Sequence, residues 1–161
     1  MMEWKDLPVV HMTAFDCTYV CTNMRDADFS ETSALTYDKT RDAMAKSILN
    51  QGGESYTILN KKNQPVLIGG AYYDNPRVAT IWLFATDKIT IRDWWVTTQF
   101  ITGLIDRMIE SETAHRVQAL SIGWRHVAHK WLQRFGLNKE AHLKHYAEDG
   151  SDVLIFSKVK E

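Results

Sequence analysis

The stretch from residue 116 to residue 137 (RVQALSIGWRHVAHKWLQRFGL) constrains the fold more than any other part of this sequence. It opens with an apolar run that ends at Gly123 and is typical of a short buried strand, made of Val117, Ala119, Leu120 and Ile122. Apolar residues then recur at the spacing of an amphipathic helix, namely Val127, Ala128, Trp131, Leu132 and Phe135. Gly136 stands where a helix commonly ends through a left-handed residue. The stretch therefore predicts a strand, a tight connection, one helix and a sharp stop.

The composition restricts the chain to ordinary globular classes. Its 161 residues are 45% hydrophobic and 24% charged, which suits one domain spanning residues 1–161 with a sizeable core. The net charge of −1 argues against a broad attraction to nucleic acid. No apolar run approaches the roughly 18 residues that a membrane span needs, and the first ten residues lack the charged-then-apolar layout of a signal peptide. We therefore expect a protein of the cytosol, or one packaged inside something made in a cytosol.

The first third of the chain predicts a strand and two helices. Residues 15–23 (FDCTYVCTN) are rich in β-forming side chains and are expected to form the first strand. Asn23 or Asp26 would cap a polar helix that runs to about Ala34. Residues 36–50 form the second predicted helix, whose apolar stripe comprises Tyr37, Ala43, Met44, Ser47 and Ile48.

The two cysteines, Cys17 and Cys21, both fall in the predicted first strand. Their spacing on a strand would place them on one face about 13 Å apart. That separation is too large for a disulfide bond. We therefore expect two buried, reduced thiols.

The remaining two thirds predict most of a sheet. Strands are expected at residues 55–59, 65–73 and 78–86, the last being the most hydrophobic and therefore central, and Gly69-Gly70 indicates a bulge or a close approach between backbones. A long helix capped by Thr90 or Asp93 would reach Glu112 and turn five residues inward: Trp95, Phe100, Leu104, Ile105 and Met108. After the opening stretch come strands 141–146 and 152–158, joined by a turn at residues 148–150. The order β-α-α-β-β-β-α-β-α-β-β indicates an α/β (α+β) fold with a mixed, mostly antiparallel central sheet flanked by helices.

This element order, together with the Phe135-Gly136-Leu137 ending of the last helix, resembles the GNAT superfamily of acyl-CoA-dependent N-acyltransferases. The resemblance covers nearly the whole chain by element order and is sharpest from Gly70 to Ile155. In that superfamily the helix after the fifth strand ends in an aliphatic-Gly-aromatic step, which residues 135–137 match loosely. The resemblance implies a GNAT-like sheet, acetyl-CoA or another acyl-CoA as the cofactor, and an amine as the acceptor.

A narrower resemblance begins at residue 23. The segment NMRDAD (residues 23–28), with Glu31 beyond it, is similar to the NMRxxD segment of a GNAT-like family of short-tailed phages, whose members are described as acetyltransferases or as internal virion protein A. The IWLFAT strand, the long helix and the WLxxxG helix resemble the same family, whereas Phe29-Ser30 replaces the basic residue expected after the second Asp. This resemblance implies a protein of the host cytoplasm or of the phage virion.

The superfamily resemblance implies a pyrophosphate site between strand 78–86 and the long helix. Superfamily members use an Arg/Gln-x-x-Gly-x-Gly/Ala loop there, whose N–H groups and helix dipole favour the anion. The corresponding segment, TDKITIRDWW (residues 86–95), contains no glycine, and Asp87 and Asp93 oppose an anion. The implied cofactor-binding residues are Leu83, Phe84, Ala85, Thr86, Lys88, Arg92 and Trp94.

The positions for acid–base chemistry also depart from the superfamily pattern. Typical members carry an Asn near the start of the helix after the fifth strand and a Tyr further along it, and these positions hold Arg125 and Leu132 here. Ser121 and His126 are the remaining candidates to contact the thioester or the departing thiolate, because histidine titrates near neutral pH. Each also has a plainer interpretation, His126 as a solvated helix residue and Ser121 as a strand residue with a satisfied hydroxyl.

The resemblance places the amine acceptor beside the first helices. Glu31 is the candidate base for the amine, and Asp28 and Tyr37 lie in the same helices. Arg25 and Asp28 stand three residues apart on a helix, and the simplest expectation for them is a surface ion pair.

A metal site is not expected. His126 and His129 would share a helix face, whereas His142 and His145 would point to opposite faces of a strand. No carboxylate or thiolate stands at ligand spacing beside either pair.

Three functions remain open at this point. The chain is an N-acyltransferase that binds acyl-CoA and an amine acceptor, or a non-catalytic virion or assembly protein that binds other virion or host proteins, or a small regulator that acetylates or binds a host protein. A virion protein would expose an apolar contact patch, for which the candidates are Trp4, Trp94, Trp95 and Trp124.

Overall fold

A computed structural model describes residues 6–161 of the chain. Within that range lie seven strands and five helices. Their bounds are β1 Val9–His11, α1 Ala14–Thr22, α2 Asp26–Leu35, α3 Arg41–Asn50, β2 Glu54–Leu59, β3 Pro65–Asn75, β4 Val78–Ala85, α4 Ile91–Glu110, β5 Arg116–Ile122, α5 His126–Arg134, β6 Asn138–Leu143 and β7 Val153–Val159. Trp4 lies outside the described residues.

The seven strands form one sheet in the order β1-β2-β3-β4-β5-β7-β6. Neighbouring strands are antiparallel except β4 and β5, which are parallel and are joined by a crossover through α4. The expected mixed, mostly antiparallel sheet with flanking helices is confirmed. β4 is the middle strand of the seven, as its apolar sequence predicts.

The parallel pair in the middle of the sheet separates soon after it forms. Val78–Thr80 of β4 pairs with Arg116–Gln118 of β5, but β4 continues to Ala85 and β5 to Ile122. The outer partners stay attached, since β3 follows β4 to its end and β7 follows the whole of β5. A gap therefore opens between the carboxyl halves of the two central strands.

Helices cover both faces of the sheet. Leu67 and Ile68 are neighbours on β3, and because side chains alternate along a strand they belong to two different cores. The Leu67 core lies under α4 and includes Phe100 and Leu104, while the Ile68 core lies under α1 and α3 and includes Val20. α5 is followed by Gly136 at φ +94°, which confirms the expected left-handed stop.

The predicted first strand at residues 15–23 is wrong, because this segment is helix α1. Thr13 caps the helix by accepting from the Asp16 N–H, and the Asp16 carboxylate accepts from the Thr13 N–H in return. Cys17, Val20 and Cys21 are buried at helical spacing. The first strand is the three-residue β1, so three helices precede β2 instead of two. Both cysteines are buried and free, as expected, but they lie one helical turn apart.

Several predicted helix ends also shift. Neither Asn23 nor Asp26 caps α2, which begins after Arg25 without a side-chain cap among the described residues. The helix predicted at residues 36–50 begins at Arg41 with Thr40 as its cap, and Tyr37 lies outside it and is fully exposed. The start of α3 follows from its cap, because the Thr40 side-chain oxygen accepts from the free Ala43 N–H of the first turn.

In α4 the cap is Thr90, and the apolar face differs from the prediction at one residue. Thr90 accepts from the Asp93 N–H, and the Asp93 side chain accepts from the Thr90 N–H. Trp95, expected to face inward, is 49% exposed, whereas Trp94 packs against the core under α4. No helix of residues 6–161 combines the length and hydropathy that crossing a membrane requires.

The Gly69-Gly70 pair lies where two backbones approach closely, and His145 lies in a turn. Gly69-Gly70 does mark a close approach, because a Cβ at Gly70 would lie 1.9 Å from the Glu54 carbonyl oxygen. β6 ends at Leu143, so His145 is not on the strand with His142 and the expected opposite orientation does not apply. His145 instead lies in the following turn with φ +52°.

Candidate active site

A cavity of about 780 Å³ lies where β4 and β5 separate. Its wall includes Leu67 and Ile81 from the core under α4, and Met44 and Trp82 from the core under α1 and α3. Because residues of both sheet faces line it, the cavity occupies the gap in the sheet itself. Side chains of α2 and α5 complete the wall.

The three predicted catalytic residues all line this cavity. Glu31 comes from α2, Ser121 from β5 and His126 from the first position of α5. About ninety residues separate Glu31 from the other two in sequence. The fold thus brings the three side chains to one cavity, although they do not hydrogen-bond to one another in the described part of the chain.

Ser121 is one of three residues within 6–161 that bury a polar side-chain atom without a hydrogen-bond partner, the others being Trp82 and Thr86. It is 2% exposed, and its hydroxyl has no hydrogen-bond partner within residues 6–161. The indole N–H of Trp82, also in the wall, lacks a partner in the same range. Buried polar groups without partners are rare and costly. The expectation of a satisfied Ser121 hydroxyl is therefore wrong, and two buried donors without partners belong to residues of the cavity wall.

The Glu31 carboxylate is held by the end of β5. Its Oε2 accepts from the Ile122 N–H at 2.8 Å, and its Oε1 accepts from the Arg125 guanidinium at 2.8 Å. Burial raises the pKa of the Glu31 carboxyl, and the Arg125 charge and the Ile122 N–H offset only part of that rise. Glu31 is therefore a more basic carboxylate than a solvated one.

Asp28, one helical turn before Glu31, binds the end of β4. Its Oδ2 accepts from the Ala85 N–H at 2.9 Å, and its Oδ1 accepts from Arg125 at 2.8 Å. Arg25 makes two further bonds to the same carboxylate, at 3.1 and 3.0 Å. Since Asp28 is 1% exposed, the expectation of a surface ion pair is wrong. The two carboxylates of α2 thus join the separated ends of β4 and β5.

The predicted cofactor-binding residues divide into two groups. Leu83, Phe84 and Trp94 line the cavity. Ala85 and Thr86 are buried at the end of β4, and their backbone N–H groups donate to Asp28 and to the Val66 carbonyl. Within the described range Lys88 and Arg92 are not part of the cavity wall.

The amino end of α4 is closed by its own residues. Asp93 is 1% exposed, and its carboxylate accepts from the Thr90 N–H and lies 3.3 Å from the Arg92 guanidinium. An anion at this helix end would be repelled by the buried Asp93 carboxylate. Arg92 is already paired with that carboxylate. The segment therefore does not fit a diphosphate held by helix N–H groups.

Two histidines lie on α5, and one of them lines the cavity. The ring centroids of His126 and His129 are 5.8 Å apart, so the expected shared face is confirmed. A ring nitrogen of His129 lies 3.1 Å from the Ile122 carbonyl oxygen, and burial lowers the pKa of His129. His126 is exposed and lines the cavity rim.

Aromatic rings join α4 to α5 beside the cavity. Trp94 and Trp131 stack with centroids 5.4 Å apart and an interplanar angle of 22°. The Arg25 guanidinium lies 5.1 Å from the centre of a Trp94 ring, and that of Arg134 lies 4.6 Å from Trp131. Both Trp side chains line the cavity.

A second polar cluster lies at the turn after β6. His142 Nε2 lies 2.6 Å from an oxygen of Asp152, whose other oxygen accepts from the His145 N–H at 2.9 Å. The His142 and His145 hydrogen bonds lower the pKa of the Asp152 carboxyl. Among residues 6–161 no group of three or more His, Cys, Asp or Glu side chains is arranged to hold a metal ion.

The fold resembles a known group of solved structures. A ribosomal L7/L12 α-N-protein acetyltransferase in complex with coenzyme A superposes with a TM-score of 0.75 at 11% identity, covering 94% of this chain and 93% of that one. The ribosomal-protein-alanine N-acetyltransferase of Brucella melitensis gives 0.74 at 14% identity, covering 95% and 99%. The chain has the GNAT fold.

The similarity to solved structures extends to the fold but not to the sequence. A mutant form of spermidine N-acetyltransferase from Vibrio cholerae gives a TM-score of 0.70 at 12% identity, covering 95% of each chain. No protein-family model matches the sequence, and no curated protein sequence is significantly similar to it. At such identities the shared property is the fold.

Sequence reasoning missed two parts of this site. The role of Asp28 in joining β4 to α5 depends on contacts 57 and 97 residues apart, which local spacing does not predict. The only local signal was the Arg25 and Asp28 pair. The Trp94–Trp131 stack joins two helices that sequence analysis treats separately, and the apolar spacing of α5 indicated only that Trp131 faces inward.

Proposed function

We propose that this chain transfers an acyl group from an acyl thioester, acetyl-CoA or a longer acyl-CoA, to an amine. The observation that carries the proposal is the apolar cavity between β4 and β5, in which Glu31, Ser121 and His126 meet. The neighbours of this fold support it, because their names describe N-acetyltransferases and one of them contains coenzyme A.

In such a transfer an N–C bond forms and a C–S bond breaks. The amine has to lose a proton, and Glu31 accepts it because burial makes this carboxylate more basic than a solvated one. The Ser121 hydroxyl has no competing partner within residues 6–161 and donates to the thioester oxygen, where negative charge develops. His126 at the rim donates a proton to the departing sulfur.

The residues present fit the acyl end of an acyl-CoA. The cavity wall is mainly apolar, its volume suits a small acyl group with its thioester arm, and Leu83, Phe84 and Trp94 form one side of it. The two unpartnered donors of Ser121 and Trp82 suit a carbonyl-containing ligand. When bound, the thioester supplies the activated acyl group.

Isothermal titration calorimetry with acetyl-CoA and with CoA tests the proposal. We expect saturable binding well below millimolar ligand, and weaker binding by Ser121→Leu, whose larger side chain fills part of the cavity. Ser157→Leu, a substitution of the same kind on β7, is not in the cavity wall and serves as the matched control. Absence of binding by the wild-type protein at millimolar acetyl-CoA would exclude the proposed function.

A second candidate function rests on the closed amino end of α4. The buried Asp93 and the presence of Arg125 and Leu132 at the positions of the usual Asn and Tyr favour a GNAT-fold protein that no longer catalyses. The resemblance of the NMRDAD segment supports a role of such a protein in a phage virion or its assembly, made in the host cytoplasm. Trp95 and Trp124, 49% and 44% exposed, would then contact other proteins. Mass spectrometry of purified phage particles tests this candidate function. Absence of the protein from the particles would exclude a virion role.

A further inference from the structure

Positive charge is concentrated in the segment between Thr113 and Glu140. The net charge of the protein is −1, yet between Thr113 and Glu140 there is no Asp or Glu. That segment contains five cationic side chains: Arg116, Arg125, Lys130, Arg134 and Lys139. Arg116 is bound by Glu140, and Arg125 is bound by the carboxylates of α2.

Lys130 and Arg134 differ from these paired residues. Both are exposed on α5, and within residues 6–161 neither has a carboxylate partner. They stand four residues apart, so they lie on one face of the helix. His126 precedes them on the same face by another four residues and lines the cavity rim. α5 therefore presents an exposed cationic stripe that starts at the cavity.

The aromatic stack connects this stripe to the cavity wall. Arg134 lies over Trp131, Trp131 stacks on Trp94, and both rings line the cavity. A ligand that leaves the cavity between α4 and α5 would pass this stack and meet Arg134. At the other possible exit, the amino end of α4, it would meet the buried Asp93 carboxylate.

We propose that Lys130 and Arg134 bind the phosphate groups of the acyl-CoA donor, in place of the loop and helix N–H groups before α4. This inference rests on the proposed function, because it names where the charged end of the same donor lies. Guanidinium and ammonium groups recognise phosphate through charge-assisted hydrogen bonds and need no glycine-rich loop. The absence of glycine from residues 86–95 is then no obstacle to binding the donor.

The test compares acetyl-CoA with S-acetylpantetheine, which carries the same thioester arm without the nucleotide phosphates. We expect Arg134→Gln and Lys130→Gln each to weaken acetyl-CoA binding about fivefold to tenfold, while the kinetic constants with S-acetylpantetheine stay unchanged. The double variant should also show a smaller loss of affinity when salt is raised, because fewer charge contacts remain to be screened. Lys62→Gln removes the same charge from the exposed β2–β3 turn and is the matched control.

Each outcome separates the inference from the proposed function. If the wild-type protein binds acetyl-CoA and both α5 variants bind it within twofold of wild type, the phosphate site is elsewhere and only the inference fails. If Arg92→Ala weakens acetyl-CoA binding and Arg134→Gln does not, the phosphates bind at the loop before α4 and the inference is wrong. If wild-type protein binds neither donor, the proposed function fails and the inference fails with it. Lys130→Gln does not touch the aromatic stack, so it remains informative if Arg134→Gln alters the fold.

Discussion

Glu31 and Asp28 lie one turn apart on α2, yet they bind the ends of two different strands. Asp28 accepts from the Ala85 N–H of β4 and Glu31 from the Ile122 N–H of β5, while Arg125 binds both carboxylates. The two residues have different environments, because Asp28 has three partners and is fully enclosed, whereas Glu31 borders the cavity. We therefore expect Asp28 to hold the ends of the two strands in place, and Glu31 remains the proposed base.

Replacing Asp28 tests the first of these roles. Asp28→Ala leaves Arg125 and the Ala85 N–H without their buried acceptor, and we expect the free energy of unfolding to fall by about 3–5 kcal/mol. Urea denaturation followed by circular dichroism measures it. Asp26→Ala, two residues earlier, removes a fully exposed carboxylate that pairs with Arg41 at 3.4 Å and should change little. Equal effects of the two substitutions would contradict the role given to Asp28.

Replacing Glu31 tests the second role. Glu31→Gln keeps the shape but cannot accept a proton, so kcat for acyl transfer should fall by about 100-fold or more with little change in acetyl-CoA affinity. In wild-type protein the base must be ionised, and burial raises its pKa. Activity should therefore be lost as pH falls through a range above that of an ordinary carboxyl group. Asp42→Asn, on the exposed side of α3, is the control, and an unchanged pH profile in Glu31→Gln would exclude Glu31 as the base.

At the scale of elements, α1 shows why one predicted strand was wrong. The sequence FDCTYVCTN has β-forming side chains, but its buried residues recur at three and four positions and Thr13 and Asp16 cap the first turn. The capping box and the apolar face therefore outweigh the weak intrinsic preference of each residue. The strands from β2 to β5 and the Gly136 stop were predictable, because alternation and a terminal glycine are local signals.

The cap of α1 provides a direct test of that explanation. Thr13→Ala removes the acceptor for the Asp16 N–H and should lower the free energy of unfolding by about 1 kcal/mol. Thr18→Ala, at an exposed position of the same helix, removes a similar side chain without a capping role and should be neutral or slightly stabilising. Urea denaturation compares the two variants, and a Thr18→Ala loss as large as that of Thr13→Ala would count against the capping box.

The site was less predictable than the fold, for a physical reason. Glu31, Ser121 and His126 were found because a resemblance to a fold places their elements around one cleft. The contacts that determine their environment could not be found, since the Asp28–Arg125 ion pair joins residues 97 positions apart. The unpartnered Ser121 hydroxyl is likewise a property of the surrounding packing, which the strand pattern does not encode.

At the scale of the whole molecule, the fold persists where sequence similarity does not. The GNAT fold is shared at 11–14% identity with solved acetyltransferases, because many sequences satisfy the same strand alternation and helix periodicity. In this chain the α2 carboxylates hold the separated ends of β4 and β5, and a Trp stack joins α4 to α5 beside the cavity. The cavity between β4 and β5 is the proposed active site.

Amine-dependent release of free thiol from acetyl-CoA tests whether this cavity catalyses acyl transfer. With a panel of primary amines, the wild-type protein should release thiol in proportion to its concentration, and mass spectrometry should find one acetyl group on the amine. Glu31→Gln should lose this activity, and Asp42→Asn should keep it. If the folded protein releases thiol no faster than a protein-free control with every amine in the panel, the proposed acyl transfer is wrong.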